Sequence, residues 1–188
     1  MTKREQFVQW LGDAHAMEVG IVDTLEKHIA DAKGQPKVRA GLSKHLRETK
    51  RHATEMKKAL ASVGGSHPVL KEGVSKLVNL AAGLVTTAAP ETIIKNAIAD
   101  FATEHFEIAC YSFLIETATA LGESTIARTC KAILKEEQTM ARLLQAQMKE
   151  VHTAYFKQLD DGSFESTIKP PARVKKNAPT TKRAKSRK

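Results

Sequence analysis

The sequence predicts an all-α protein, a bundle of four long helices followed by a basic tail. Three observations carry that expectation. Aromatic residues make up only 5% of the chain, and it holds 10 Gly and 6 Pro in 188 residues, against an abundance of Ala, Leu, Lys and Glu, which favours helix. Apolar residues recur at alternating steps of three and four along four stretches, the period of a helix with one buried face. Residues that stop and restart helices, Pro36, Gly64-Gly65, Pro68, Pro90 and Gly122, fall between those stretches. The chain is long enough to bury a real core in one domain, and residues 1–160 are taken as that domain.

The first stretch places Phe7, Leu11, Ala14, Ile21, Leu25 and Ile29 on one stripe, interrupted by Glu18 where the rhythm calls for an apolar residue. The second opens at Pro36 and places Val38, Leu42, Met56 and Leu60 on its stripe, with His45, Thr49 and His52 filling the middle. It contains the segment HLRETKRHATEM, in which Glu48 lies at the flank, one turn from His45 and one from His52. A shorter amphipathic piece, from Val74 to Leu84, is expected to carry the chain from one end of the bundle to the other. The third long stretch gives Ile94, Ala97, Phe101, Ile108, Tyr111 and Ile115, interrupted by Glu104, with Glu107 one turn on and His105 beside it. The fourth gives Ile126, Cys130, Ile133, Met140, Leu144 and Val151, interrupted by Glu137.

Each long helix is thus expected to carry a carboxylate near mid-length on or beside its inward stripe. A single Glu at such a stripe is usually a boundary residue whose charge reaches solvent, and a single inward His is usually a hydrogen-bonded core residue. Four together are different. Several uncompensated carboxylates in one core cost many kcal/mol, so they share protons, pair with cations or hold metal. No Lys or Arg falls on the inward stripes at that depth, which leaves metal as the simplest compensation. Carboxylates with imidazole suit iron, manganese or zinc, and the carboxylate majority leans toward iron or manganese.

Glu18, HLRETKRH, ATEHFEIACYSFL (residues 102–114) and LKEEQTMA (residues 134–141) together resemble the ferritin-like stress proteins of the YciE/YciF type, a domain-of-unknown-function group. The resemblance covers roughly residues 6–155. It implies a ferritin-like up-down bundle with one long crossover and a two-metal carboxylate site in its middle. The general ferritin-like scheme takes a Glu from each of two helices and a Glu-x-x-His from each of the others. Here the Glu48–His52 spacing is four, and Met140 stands where the fourth helix would carry an imidazole. The expected assignment is Glu18 and His52 on one metal, Glu104 and Glu137 on the other, Glu48 bridging or shared, and Glu107 and His45 in reserve. Oxidation of Fe(II) by dioxygen or peroxide would follow, with no catalytic residues beyond the ligands. Tyr111 would be an electron donor or a hydrogen-bond partner of a ligand, or simply a buried tyrosine with a satisfied hydroxyl.

The net charge of +9 is concentrated in the tail. Of the 30 Lys and Arg, nine lie in residues 169–188, leaving 21 to face the 21 acids of the remaining chain. Beyond Glu165 the chain has no acid, three prolines and few apolar residues, and residues 161–188 are expected to be a disordered basic arm. Lys175, Lys176, Lys182, Arg183, Lys185, Arg187 and Lys188 are its candidate nucleic-acid contacts, since phosphates need only Lys and Arg. A second reading therefore stays beside the first: a non-catalytic stress module whose arm binds DNA. A third makes the tail a solubilising extension. Cys110 and Cys130, each inside a helical pattern, are expected to be reduced, and the apolar stretch from Leu77 to Ala89 is too short to span a bilayer. A soluble cytoplasmic protein with no signal peptide, closing into a homodimer and, where the arm binds DNA, associated with the nucleoid, is the expected setting.

Overall fold

A computed structural model describes residues 1–65 and 92–162. Among them are four helices and no strand: α1 (Lys3–Asp31), α2 (Pro36–Ser62), α3 (Thr92–Ala120) and α4 (Ser124–Asp160). The crossover piece from Val74 to Leu84 and the basic arm lie outside the described residues.

Local chemistry fixes the helix ends. Thr2 caps α1 through a capping box: its hydroxyl accepts from the Glu5 amide at 3.1 Å, and the Glu5 carboxylate accepts from the Thr2 amide at 2.7 Å. Pro36 occupies the first turn of α2, where its missing N–H costs nothing. The short turns before α2 and α4 depend on Gly34 (φ 84°) and Gly122 (φ 76°), in a conformation that side-chain-bearing residues rarely adopt.

Those turns make two antiparallel hairpins, α1–α2 and α3–α4. Contacts between the hairpins give the directions. Arg4 pairs with Glu123, Tyr111 reaches Glu18 and His28 meets Asp100, so α1 runs antiparallel to α3. Lys37 pairs with Glu150 and His52 with Glu136, so α2 runs antiparallel to α4. The order is up-down-down-up. The α2-to-α3 connection therefore joins opposite ends of a bundle about 40 Å long, from the helical rise of 1.5 Å per residue over 27 residues.

The core follows the predicted stripes on three helices. Every predicted stripe residue of α2 and α4 is buried, as are Phe7, Leu11, Ala14, Ile21 and Leu25 on α1; Ile29 is partly buried. On α3 the inward line is different: Asn96, Asp100, Glu104, Glu107, Tyr111 and Leu114 face the core, while Ile94, Ala97, Phe101 and Ile108 are only partly buried. The polar residues of α3 have partners in the interior that its apolar residues lack, so the apolar rhythm marks the flank of this helix.

One set of partners lies near the N-terminal end of α3. His28 Nδ1 is 2.6 Å from Asp100 Oδ1, with both side chains almost fully buried, and Asn96 donates to Asp31 at 3.0 Å. Asp100→Ala would strand the buried imidazole, and is expected to lower unfolding stability by about 2 kcal/mol. Denaturant titration of the metal-free protein measures the loss, and bound metal at saturation should stay at the wild-type level.

Candidate metal centre

Midway along the bundle, each helix contributes to one buried polar layer. Glu18 comes from α1, His45 and His52 from α2, Glu104 and Glu107 from α3, and Glu137 from α4; none is more than 2% exposed. His45 and His52 stand two turns apart on one face of α2, with Thr49 between them donating its hydroxyl to the His45 carbonyl at 3.0 Å.

The layer divides into two groups that could each hold a metal ion: His45, Glu104, Glu107 and Glu137, and Glu18, His52 and Glu137. Within each group one donor atom per residue lies within 4.8 Å of every other. Glu137 belongs to both. Its Oε1 is 2.8 Å from His52 Nδ1 and its Oε2 is 3.6 Å from His45 Nε2. His45 Nε2 is also 3.1 Å from Glu104 Oε1, and His52 Nδ1 is 3.7 Å from Glu18 Oε2.

These atoms crowd together without bonding to one another. Both oxygens of Glu107 and of Glu137, Oε2 of Glu18 and of Glu104, both nitrogens of His45 and Nδ1 of His52 are buried with no hydrogen-bond partner. Even the 2.8 Å approach of His52 to Glu137 lacks hydrogen-bond alignment. Buried polar atoms are ordinarily paired, and a set this large left unpaired suits donors that face a common point. Oxygen and imidazole donors in this mixture are those of a transition-metal carboxylate site. The residues present therefore fit a metal ion.

Electrostatics reinforce the fit. Burial pushes the Glu104 carboxyl up to about 7, although His45 beside it works in the opposite direction. Burial likewise raises Glu18, again against the pull of His52. Glu107 is raised well above the usual carboxylate range, by burial and then by Glu18, Glu137 and Glu104. The two imidazoles move the other way from ordinary buried histidines. Burial favours their neutral form, but Glu104 and Glu137 lift His45 to about 9, and Glu137 and Glu18 lift His52 to about 10. Without metal, the layer holds protons that a metal would displace.

The structure gathers Glu18, His52, Glu104 and Glu137 in one layer with Glu107 and His45, the two residues held in reserve, and leaves Glu48 out of it. Glu48, expected to bridge, stays outside the group: it is half-buried on the flank of α2, paired with Lys44, and comes no nearer His45 Nδ1 than 3.8 Å. His45, held in reserve, is fully buried among the donors. The helical wheel gives the reason, since His45, Thr49 and His52 take the centre of the α2 stripe and leave Glu48 at its edge. The imidazole absent from α4 is thus supplied from α2, and Met140 is buried nearby as an apolar residue. Tyr111 is fully buried and its hydroxyl donates to Glu18 Oε1.

Glu136 was not anticipated. Its Oε2 lies 2.6 Å from His52 Nε2 and is also held by Arg51; burial alone would raise the carboxyl, but His52 and Arg51 lower it. Nothing in the sequence marks it: next to the inward Glu137 it reads as a solvated neighbour, and only Arg51 and His52 across the α2–α4 seam give it a role.

An up-down-down-up bundle with a buried layer of carboxylates and imidazoles is a ferritin-like four-helix bundle with a candidate metal centre. The chain belongs to the family described as domain of unknown function DUF892, which matches residues 2–157. Among solved structures, a protein from Xanthomonas campestris pv. campestris is 26% identical, with 85% of this chain and 99% of that one covered and a TM-score of 0.73. YcfI from Rhodopseudomonas palustris is also 26% identical, covering 77% of this chain and 94% of its own, with a TM-score of 0.69. The Escherichia coli stress protein YciF shares the fold at 22% identity and a TM-score of 0.71, over 81% of this chain and 98% of its own.

The raised groups set a pH dependence with one sign. Glu104 (about 7), His45 (about 9) and His52 (about 10) all bind protons more tightly folded than unfolded. The histidines therefore contribute stability below their unfolded value that is lost as pH rises toward 9 and 10, and a raised carboxyl costs stability above its unfolded value. The metal-free protein is expected to melt at progressively lower temperature from pH 5 to pH 9. Bound metal, which requires the deprotonated donors, should flatten or reverse that trend. Thermal melts with and without chelator across this range measure both.

Proposed function

We propose that this protein is a di-metal carboxylate protein, binding two iron or manganese ions, with zinc also compatible, and oxidising Fe(II) with dioxygen or peroxide in a stress-related role. The observation that carries the reading is the sharing of Glu137 by two overlapping donor groups. Charge supports the count: Glu18, Glu104, Glu107 and Glu137 carry four negative charges when ionised, which two divalent cations balance while both imidazoles stay neutral. A pair of iron ions held there supplies the electrons that reduce the oxidant. The remaining chemistry belongs to the chain. Carboxylates favour the more highly charged Fe(III), the surrounding apolar side chains exclude water, and Tyr111 holds one oxygen of Glu18 while the other faces the group. The stress role is carried over from the E. coli relative, which bears that description. The cytoplasm and a homodimer belong to the same reading. None of the described helices is long and apolar enough to cross a membrane, and Trp10, Phe106 and Phe113 stand exposed on α1 and α3.

Metal analysis of protein purified without chelator tests this directly, with an expected content approaching two ions per chain. Glu137→Ala is expected to remove both ions, Glu18→Ala and His52→Ala chiefly one, and Glu48→Ala neither. Negligible metal in the wild type, unchanged in the variants, would end the proposal.

A second activity rests on a separate observation, the segregation of nine bases into residues 169–188. We assign to this arm non-specific binding of DNA through phosphate contacts, and with it a place on the nucleoid. Removing residues 161–188 is expected to abolish gel retardation of duplex DNA at low salt while leaving bound metal and helicity unchanged. Absence of retardation by the full-length chain would reduce the arm to a solubilising tail.

A further inference from the structure

The α2–α4 seam opens to solvent beside the buried layer as a vestibule of about 340 Å³, lined among others by Lys44, Glu48, Lys135, Glu136, Thr139 and Met140. Each of its two carboxylates faces one of the buried imidazoles, Glu136 in contact and Glu48 at a short remove. Glu136 Oε2 is 2.6 Å from His52 Nε2, and Glu48 Oε2 is 3.8 Å from His45 Nδ1. The same imidazoles turn their other nitrogens, His52 Nδ1 and His45 Nε2, toward the buried carboxylates. His45 is fully buried, and its Nδ1, the nitrogen on the Glu48 side, has no hydrogen-bond partner. Two parallel lines of donors thus run from solvent to the layer, Glu136 to His52 to Glu137 and Glu48 to His45 to Glu104.

We infer that this vestibule is the route by which divalent cations reach the centre, with Glu136 and Glu48 holding the ion first and His52 and His45 receiving it. The inference rests on the reading of the buried layer as a metal site. A hydrated dication enters a protein by exchanging its waters for oxygen or nitrogen donors one at a time, so its path must be lined by such donors. Another large opening among the described residues, a groove of about 750 Å³ between α1 and α3, is mostly apolar: Trp10, Met17, Phe106, Phe113 and Leu114 line it, and Asp13 is its one carboxylate, with Gln9 and Cys110 as its other polar side chains. The basic residues at the vestibule do not bar the way. Lys135 in its lining is exposed, and Lys44 in the lining and Arg51 beside it pair with Glu48 and Glu136 through side chains that are 61% and 53% exposed, and exposed ion pairs are weak and easily exchanged.

Stopped-flow uptake of Co(II) by the full-length, chelator-treated protein provides the test, read from the cobalt absorption band. The variants are Glu48→Gln with Glu136→Gln, which keeps an acceptor for His52 while removing charge, and Thr139→Trp, which fills the vestibule from the exposed side of α4. The double variant is expected to load about tenfold more slowly at low ionic strength, the scale of electrostatic steering, and to lose the salt dependence of the wild-type rate. Thr139→Trp should also load slowly, with final cobalt content unchanged in both. Wild-type rates in both variants, with full loading, would overturn the route alone. A reduced final content at an unchanged rate would make Glu136 or Glu48 a holder of the ion and overturn the route as well. A wild type that takes up no cobalt would overturn the route together with the metal-site reading.

Discussion

Compensation of buried charge is the constraint on which the rest of this structure depends. Four carboxylates and two imidazoles share one layer at mid-bundle, each essentially without solvent. In a low-dielectric interior an uncompensated charge is far more costly than a cavity or a lost methyl group. Apolar packing alone would tolerate a helix slipping by a turn, because Leu, Ile and Met exchange places at modest cost. The polar layer does not tolerate it. Moving α4 by one turn would carry Glu137 away from both imidazoles and bring Met140 or Ile133 among unpaired carboxylates. The layer thus acts as a register pin for all four helices, a role for which buried polar groups are well suited.

The same requirement explains the unusual face of α3. A second buried polar contact, His28 with Asp100 and Asn96 with Asp31, lies toward the N-terminal end of that helix. Together with Glu104 and Glu107 it takes up most of the inward line of α3 over three turns. Its aromatic and branched residues are displaced outward, leaving Phe106, Phe113 and Ile98 exposed. Exposed apolar side chains along one helix are here the counterpart of an interior spent on polar groups.

This inversion marks where the sequence was legible and where it was not. On α2 and α4 the apolar rhythm and the polar interruptions shared one line, so the stripes and the inward positions of His52 and Glu137 could be read from spacing alone. On α3 the apolar and polar periods both fit a helix but point to different faces. Spacing could not say which faced inward, because the deciding partners, His28 and the imidazoles of α2, lie on other helices. Glu48 and His45 differ by under one helical turn, and their exchange of roles shows the angular resolution of a wheel argument. Glu136 was illegible for another reason. Its importance comes from Arg51 and His52 across the seam, and nothing in its own neighbourhood of sequence distinguishes it from a solvated glutamate.

Topology adds a last consequence. Contacts within each hairpin, α1 with α2 and α3 with α4, are far more extensive than those between hairpins. The donors divide along the same line: Glu18, His45 and His52 belong to the first hairpin, and Glu104, Glu107 and Glu137 to the second. Each of the two groups draws residues from both hairpins. An ion held by either group therefore ties hairpin to hairpin across the seam with the least packing, where its binding energy adds most to cooperativity. Without that tie the seam keeps only its thin packing and the imidazole–carboxylate pairs His45–Glu104 and His52–Glu137, and separation of intact hairpins becomes the natural first opening of the bundle. Placing the costliest chemistry where the apolar contacts are thinnest makes the integrity of the bundle depend on what the centre holds.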